Sequence, residues 1–439
     1  MKTIYDDLLA SIEIPRFVKV RNNRRAKKVE NVYWEVWKAL ENISAEEKIK
    51  PGMQVCIAVG SREISNFPDI VRAAVNFVKK CGAMPFLIPA MGSHGGATAQ
   101  GQRAILKGYG ITEESIKAEI RASMETEIIG VTEDGIPVHI DAYANAADLI
   151  IPIGRIKPHT DFRGKVESGL CKMLVIGLGK QQGAFICHRY GFGRMAENIW
   201  NISKEIVKQK KNIIGIGVIE NCFHETYMVK ALYGEQFHEE EPELLTIARA
   251  QLARLPFAKA DVLVLDEIGK EISGAGMDTN VTGRCFNLET SEPFFQSIAV
   301  FDVTEKSHGN CSGLGAADVI TEKLFRKFSF EDTYPNMITV GDGLGAKIPV
   351  VMPNEKLALK FALRCVHDFA DETEQIRIIW LKNTLALDEF YISEALVEDA
   401  KKIEQIDIIS EPHYIEFDEE GGAYSRITNA GMGGLFGRL

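Results

Sequence analysis

IPIGRIKPHTDFRGKVESGLCKMLVIGLGKQQGAFICHRYGFGRMAENIW, residues 151–200, concentrates the unusual chemistry of the chain, and its reading decides the fold. It is entered through Asp148-Leu-Ile-Ile-Pro-Ile-Gly154, a short, continuous apolar run ended by glycine, which is the pattern of a buried strand in a parallel sheet. Function in open α/β sheets gathers just past such strand ends. A polar loop follows with His159 after a proline, and then Ser168-Gly-Leu-Cys-Lys-Met173.

Upstream, Gln54-Val-Cys-Ile-Ala-Val-Gly60 predicts a strand, Gly60-Ser-Arg-Glu63 a turn, and Ile70 to Lys80 a helix with apolar residues at helical intervals. The unit repeats as a strand over Met84 to Ala90, a turn at Gly92-Ser-His-Gly-Gly96 and a helix over Thr98 to Lys107. Strand, glycine turn and helix in alternation predict a parallel α/β sheet. Both turns then share one sheet edge with the loop after Gly154, where His94, Arg62 and His159 can converge.

Lys172 is flanked by small and apolar neighbours. Desolvation there lowers the pKa of a lysine, so that its neutral amine can act as a nucleophile or bond covalently to a cofactor. Taken alone it reads more simply as a surface lysine with its stem along apolar neighbours. His188 stands sixteen residues on, and alone it reads as an ordinary hydrogen-bonded histidine.

Together, PHTDFRGKVESGLCKM and a histidine at that spacing resemble the lactate racemase family, enzymes that use a nickel-pincer nucleotide. In that family a lysine matching Lys172 carries the cofactor as a thioamide, and a histidine matching His188 binds the nickel. The resemblance extends to Gly92-Ser-His94, like a Gly-Thr-His element whose histidine is one of two acid/base residues, His159 matching the other. Ser61-Arg62 resembles an Asp-x-Thr-Arg element, with Val59 where the family has aspartate. The loop from His159 to Lys172 is longer than the family's, and Leu170 replaces a glycine. The resemblance implies cofactor contacts from Ser61, Arg62, Ser168 and Gly169, and a 2-hydroxy acid whose carboxylate meets Arg62 and Lys270. It also implies maturation by cofactor-synthesis enzymes.

Beyond Asn212 to Ile219, a further strand, the charged helix Glu239 to Leu255 reads as the exit from a first domain, residues 1–255, which carries the site. A second α/β domain, 256–439, is expected to close a cleft over it. Its strands are expected at Val262 to Leu265, Ser297 to Phe301, Met337 to Val340 and Ile376 to Trp380. Helices are expected at Gly315 to Arg326, Glu355 to Arg364 and Ile392 to Ile403. Lys270 follows the first of these strands. The basic run Arg21 to Lys28 reads as a solvated edge, and the glycine-rich tail from Glu416 to Gly437 as partly mobile.

With 439 residues, 46% hydrophobic and 26% charged, the chain is long enough for two or three domains. A net charge of −10 argues against nonspecific nucleic-acid binding. No apolar run reaches membrane-spanning length, and the start lacks a signal-peptide core, so a cytoplasmic protein is expected. Eight scattered cysteines without a C-x-x-C pair suit reduced thiols. The absence of H-E-x-x-H argues against a zinc hydrolase.

Two other readings stand beside the racemase. Gly177-Leu-Gly-Lys-Gln-Gln-Gly183 can be taken as a dinucleotide turn of an NAD(P)-dependent oxidoreductase. The same fold could also serve a non-catalytic nucleotide- or metabolite-binding protein. Arg155, Lys157, Arg163, Lys165, Arg189 and Arg194 read as a solvated basic edge; any that faced a cleft would favour a hydroxy diacid.

Overall fold

Apolar residues at every position from Val55 to Val59 leave that segment no solvent face, and it forms an inner strand of a parallel sheet. In chain order the strands are β1 Phe17–Asn22, β2 Gln54–Val59, β3 Met84–Pro89, β4 Glu119–Ile120, β5 Thr126–Val131, β6 Pro137–Asp141, β7 Leu149–Arg155, β8 Ile214–Glu220 and β9 Thr226–Tyr233. Then come β10 Val262–Ile268, β11 Ser297–Val303, β12 Val319–Thr321, β13 Val350–Met352, β14 Ile378–Leu381, β15 Glu389–Ser393 and β16 Ile406–Ile408. The computed structural model describes residues 3–61, 63–257, 259–285, 292–341, 343–367 and 372–424.

The chain folds as two units, residues 26–252 and residues 1–25 with 253–439. In the first, the sheet order is β4-β3-β2-β7-β8-β9, parallel except for β9. Val59 is level with Pro89 of β3 on one side and Ile153 of β7 on the other, so β2 and β3 end together and β7 runs two residues further, to Arg155. The helix Phe67–Lys80 buries Phe67, Ile70, Val71, Ala74, Phe77 and Val78 on this sheet, the stripe its sequence predicts. The other face carries the hairpin β5-β6 and the apolar sides of Met195–Gln209 and Phe237–Gln251.

The second unit has an eight-stranded sheet, β13-β12-β11-β10-β14-β15-β1-β16, parallel from β13 to β14 and antiparallel beyond. The N-terminal strand therefore belongs here and not with the first domain. Its alternation of buried and exposed residues suits a place between β15 and β16. Of the basic run, Arg21 pairs with Glu389 at 2.9 Å and Arg24 with Asp388 at 2.6 Å, while Lys28 meets Glu225 at 2.9 Å within the first unit.

Three expected elements differ. Met337 to Val340 is the end of a helix, Phe330–Val340, because Ser329 caps its start and Gly341 its end, overriding β-branched residues. Only Glu322–Lys327 of the expected Gly315 to Arg326 helix is α-helical; the apolar residues before it pair as β12. Ile392 lies in β15, and the helix there is confined to Val397–Ala400. The expected tail beyond Tyr424 lies outside the described residues.

Phe17 is fully buried, with its ring 5.7 Å from Trp380 in an edge-on contact. Phe17→Ala should lower stability by about 3–5 kcal/mol. Hydrogen exchange should place the loss at residues 376–408; a loss confined to 26–252 would contradict the shared sheet.

Candidate active site

β3 and β2 end level and β7 two residues beyond them, and all three release their loops at the same sheet edge. The loop after β2 carries Ser61 and the loop after β3 carries His94, and Ser61 Oγ shares a hydrogen bond with His94 Nδ1. Tyr109 Oη donates to the Ser61 carbonyl at 2.5 Å, tying that loop to the end of Ala99–Gly108. Arg62 lies outside the described residues.

The loop after β7 is pinched shut by a two-way backbone bridge between Lys157 and Ser168, at 3.0 and 3.2 Å. Inside it, the Glu167 carboxylate is fully buried and accepts from the amides of His159 at 2.6 Å and Gly164 at 3.2 Å and from the Arg249 guanidinium. His159 stacks on Phe162 with ring centres 4.2 Å apart, and Lys172 Nζ lies 5.7 Å from the same Phe162 ring. Burial, then Lys172 and Lys157, then His188 and Arg163, hold the His159 imidazole well below its ordinary pKa.

Lys172 ends a single turn, Leu170–Lys172, which continues as a π-helix over Met173–Gly177. Such wide turns are rare and recur at functional sites. Met173 lies against Gly60 and Ile176 against Gly92, so this segment is seated on the loops after β2 and β3. A side chain on Gly177 would come within 2.9 Å of the Ala90 carbonyl; the glycine is needed for that close approach. His188 follows on the helix Lys180–Arg189, half-buried, its pKa lowered to about 4 by burial and by Lys172. His159, Lys172 and His188 thus share one electrostatic neighbourhood. Ser168 and Gly169 form the entry to the Lys172 turn.

The dinucleotide reading fails here. A phosphate-binding turn needs a strand before its glycines, and the residues before Gly177 are helical. Lys270 belongs to the second unit, just after β10, where its Nζ donates to the Gly274 carbonyl at 2.8 Å. Arg155 pairs with Glu220 at 2.6 Å, Arg163 lies 3.8 Å from Glu167, Arg194 pairs with Asp134 and Glu197, and Lys165 lies over the Trp200 ring. The basic side chains of this segment are largely engaged locally.

Besides Glu167, two buried groups escaped the sequence reading. Lys180, with φ of +53°, is fully buried and ion-paired with Asp141 at 3.1 Å; its amine also reaches the Pro89 carbonyl and Gln102 Oε1. Gln102 in turn donates to the Gly92 and His94 carbonyls at 2.9 and 3.2 Å, so this network grips the turn that carries His94. Glu241 takes a place in the buried stripe Phe237, Glu241, Leu244, Leu245, Ala248 and accepts from the Cys171 amide at 2.9 Å. A carboxylate at an apolar-stripe position was the signal available for it. Lys180 left only a lysine among small residues.

Comparison with known proteins bears on this segment directly: residues 5–194 match the model of the lactate racemase N-terminal domain. Over those residues the chain is similar to that domain. The match includes Ser61, Arg62, His94, His159, Ser168, Gly169, Lys172 and His188, and excludes Lys270. Among solved structures the chain is similar to the lactate racemase apoprotein of Thermoanaerobacterium thermosaccharolyticum, at 14% identity and a TM-score of 0.47, over 84% of this chain and 99% of that one. It is also similar to a structural-genomics target from Thermotoga maritima, at 12% identity and a TM-score of 0.42, over 63% and 72% of the two chains. No curated protein matches it. Among the described residues no helix is long and apolar enough to cross a membrane.

Removing the Lys180 amine strands a buried carboxylate, so Lys180→Met should cost about 3–5 kcal/mol in urea unfolding. Glu241 gives a pH signature of opposite origin. Burial raises its carboxyl from 4.5 to about 7, so the folded chain holds a proton that the unfolded chain releases. Its contribution is fully present below about pH 4.5 and is lost as pH rises through about 7. Between pH 6 and 8, Glu241→Gln should therefore lose less stability than the wild type; parallel slopes would refute the assignment.

Proposed function

We propose that this protein racemises or epimerises a 2-hydroxy acid with a nickel-pincer nucleotide attached to Lys172. The observation that carries the reading is the common neighbourhood of His159, Lys172 and His188, inside the stretch similar to the lactate racemase N-terminal domain. The residues fit the group. Burial and Lys172 keep His188 neutral to about pH 4, and neutral imidazole is the form that ligates a metal. Lys172, half-buried at the start of a π-turn, is the amine beside it. His188 would hold the nickel, with Ser61, Arg62, Ser168 and Gly169 around the nucleotide. When bound, this cofactor supplies the hydride acceptor.

The protein supplies bases and orientation. Inverting a carbinol carbon calls for an acid/base group on each side, because the two enantiomers present their hydroxyls in opposite directions. His94 and His159 come from different loops and fill these roles. His159 Nδ1 accepts from the Asp161 amide at 3.1 Å and lies 3.7 Å from the Asp161 carboxylate. With its proton moved to Nδ1 in place of the Asp161 amide contact and beside that carboxylate, Nε2 can take the hydroxyl proton, and the imidazolium so formed returns it in the reverse direction. Arg62 is the carboxylate partner in this reading. The pairing of Arg155, Arg163 and Arg194 removes the main argument for a second carboxylate on the substrate.

Maturation requires the enzymes that make the cofactor. Protein produced with them should carry added mass on the Lys172 peptide, absent from Lys172→Ala, and modification of a different peptide would sink the proposal. By metal analysis, His188→Ala should lose most of its nickel, whereas His94→Ala and His159→Ala keep theirs and lose turnover. Equal nickel loss in all three would contradict these roles.

A further inference from the structure

We propose that the helix Phe237–Gln251 positions the site, with Glu241 setting the turn that carries Lys172 and Arg249, through Glu167, setting the loop that carries His159. The proposal rests on the reading above only in taking Lys172 and His159 as the working groups. The helix lies beyond residues 5–194, and its opening, Phe-His-Glu-Glu-Glu-Pro-Glu243, looks like a solvated acidic face.

Yet Glu241 is 1% exposed, on the aliphatic stripe of that helix. A carboxyl group is buried there only at a cost that its partners must offset. Its partner is the Cys171 amide at 2.9 Å, in the first turn of Leu170–Lys172, where an N–H has no acceptor within its own helix. Gly169 leaves room for this contact, since a Cβ there would stand 2.0 Å from Glu241 Oε1. Burial of the carboxylate and absence of a side chain at Gly169 are two halves of one arrangement.

Eight residues on, and so on a neighbouring face of the helix, Arg249 reaches the fully buried Glu167, which accepts the His159 amide at 2.6 Å. One rigid element thus grips both the Lys172 turn and the His159 loop. Side chains that lock site residues from behind set their precision. Glu241, Arg249 and Glu167 are positioning residues and touch no substrate.

The test uses the full chain without cofactor. Pulsed acetylation with acetic anhydride, read by peptide mass, gives the reactivity of Lys172 against exposed Lys107 and Lys230. In Glu241→Leu the Lys172 rate should change about 5-fold, the effect of losing one buried hydrogen bond, with the two reference lysines unmoved. Glu241→Gln, which keeps an acceptor, should restore the wild-type rate. Arg249→Met should speed amide exchange across residues 157–168 and leave the Lys172 rate alone. Wild-type Lys172 reactivity in folded Glu241→Leu, or unchanged exchange at 157–168 in Arg249→Met, overturns the proposal. Should Glu241→Leu fail to fold, Arg249→Met decides, because its guanidinium is partly exposed and Glu167 keeps the His159 and Gly164 amides as donors. Absence of nickel or added mass would sink the racemase reading without altering any of these rates.

Discussion

The register of β2 between β3 and β7 is the constraint on which the site depends. Parallel pairing sets Val59 level with Pro89 and with Ile153, so the chain leaves β2 and β3 at one height and β7 two residues beyond it. A slip of one residue would turn every side chain of β2 to the opposite face. All five residues from Val55 to Val59 are buried, so such a slip would have to repack both sides of the sheet at once. The Ser61 to His94 hydrogen bond and the seating of Met173 and Ile176 follow from that height.

Above the register, buried charge does the fine placement. Lys180 and Asp141, Glu167 and Glu241 are all within the protein; Glu167 and Glu241 hold backbone amides of the His159 loop and the Lys172 turn, and Lys180, paired with Asp141, holds the end of β3. Aliphatic side chains would fill these places at lower desolvation cost, but a methyl group cannot specify where an amide must point. The arrangement exchanges stability for geometry, as a site does when the distance between its groups matters more than the depth of the fold.

Much of this was legible in the sequence. Continuous apolar runs bounded by glycine or polar residues marked β2, β3, β7, β8, β10 and β11, whereas the same kind of run at Met337 to Val340 is helical because Ser329 and Gly341 cap it. That the turns carrying Ser61 and His94 share an edge was legible because both follow parallel strands; the Ser61 to His94 hydrogen bond itself was not. The antiparallel end of the second sheet was not legible: β1 pairs with strands more than three hundred and sixty residues away, and no local pattern encodes a partner at that distance. Glu241 and Glu167 were passed over for a related reason. Their burial is a property of what packs on them, and acidic residues beside Pro242 or within a polar loop look solvated until the fold encloses them. The glycines around Lys180 misled in the other direction, since close packing and phosphate binding favour the same residue type.

The place of β1 bears on how the polypeptide is made. This strand is made before residues 26–252, yet both of its neighbours, β15 and β16, are made after them. During synthesis it must wait while residues 26–252 emerge and can already form their own sheet. Topologically, that region is an insertion between the first strand of the other unit and the rest of it. The nascent chain therefore assembles from the middle outward, and the Phe17 edge stays a sticky, unsatisfied ribbon until the last sheet is complete.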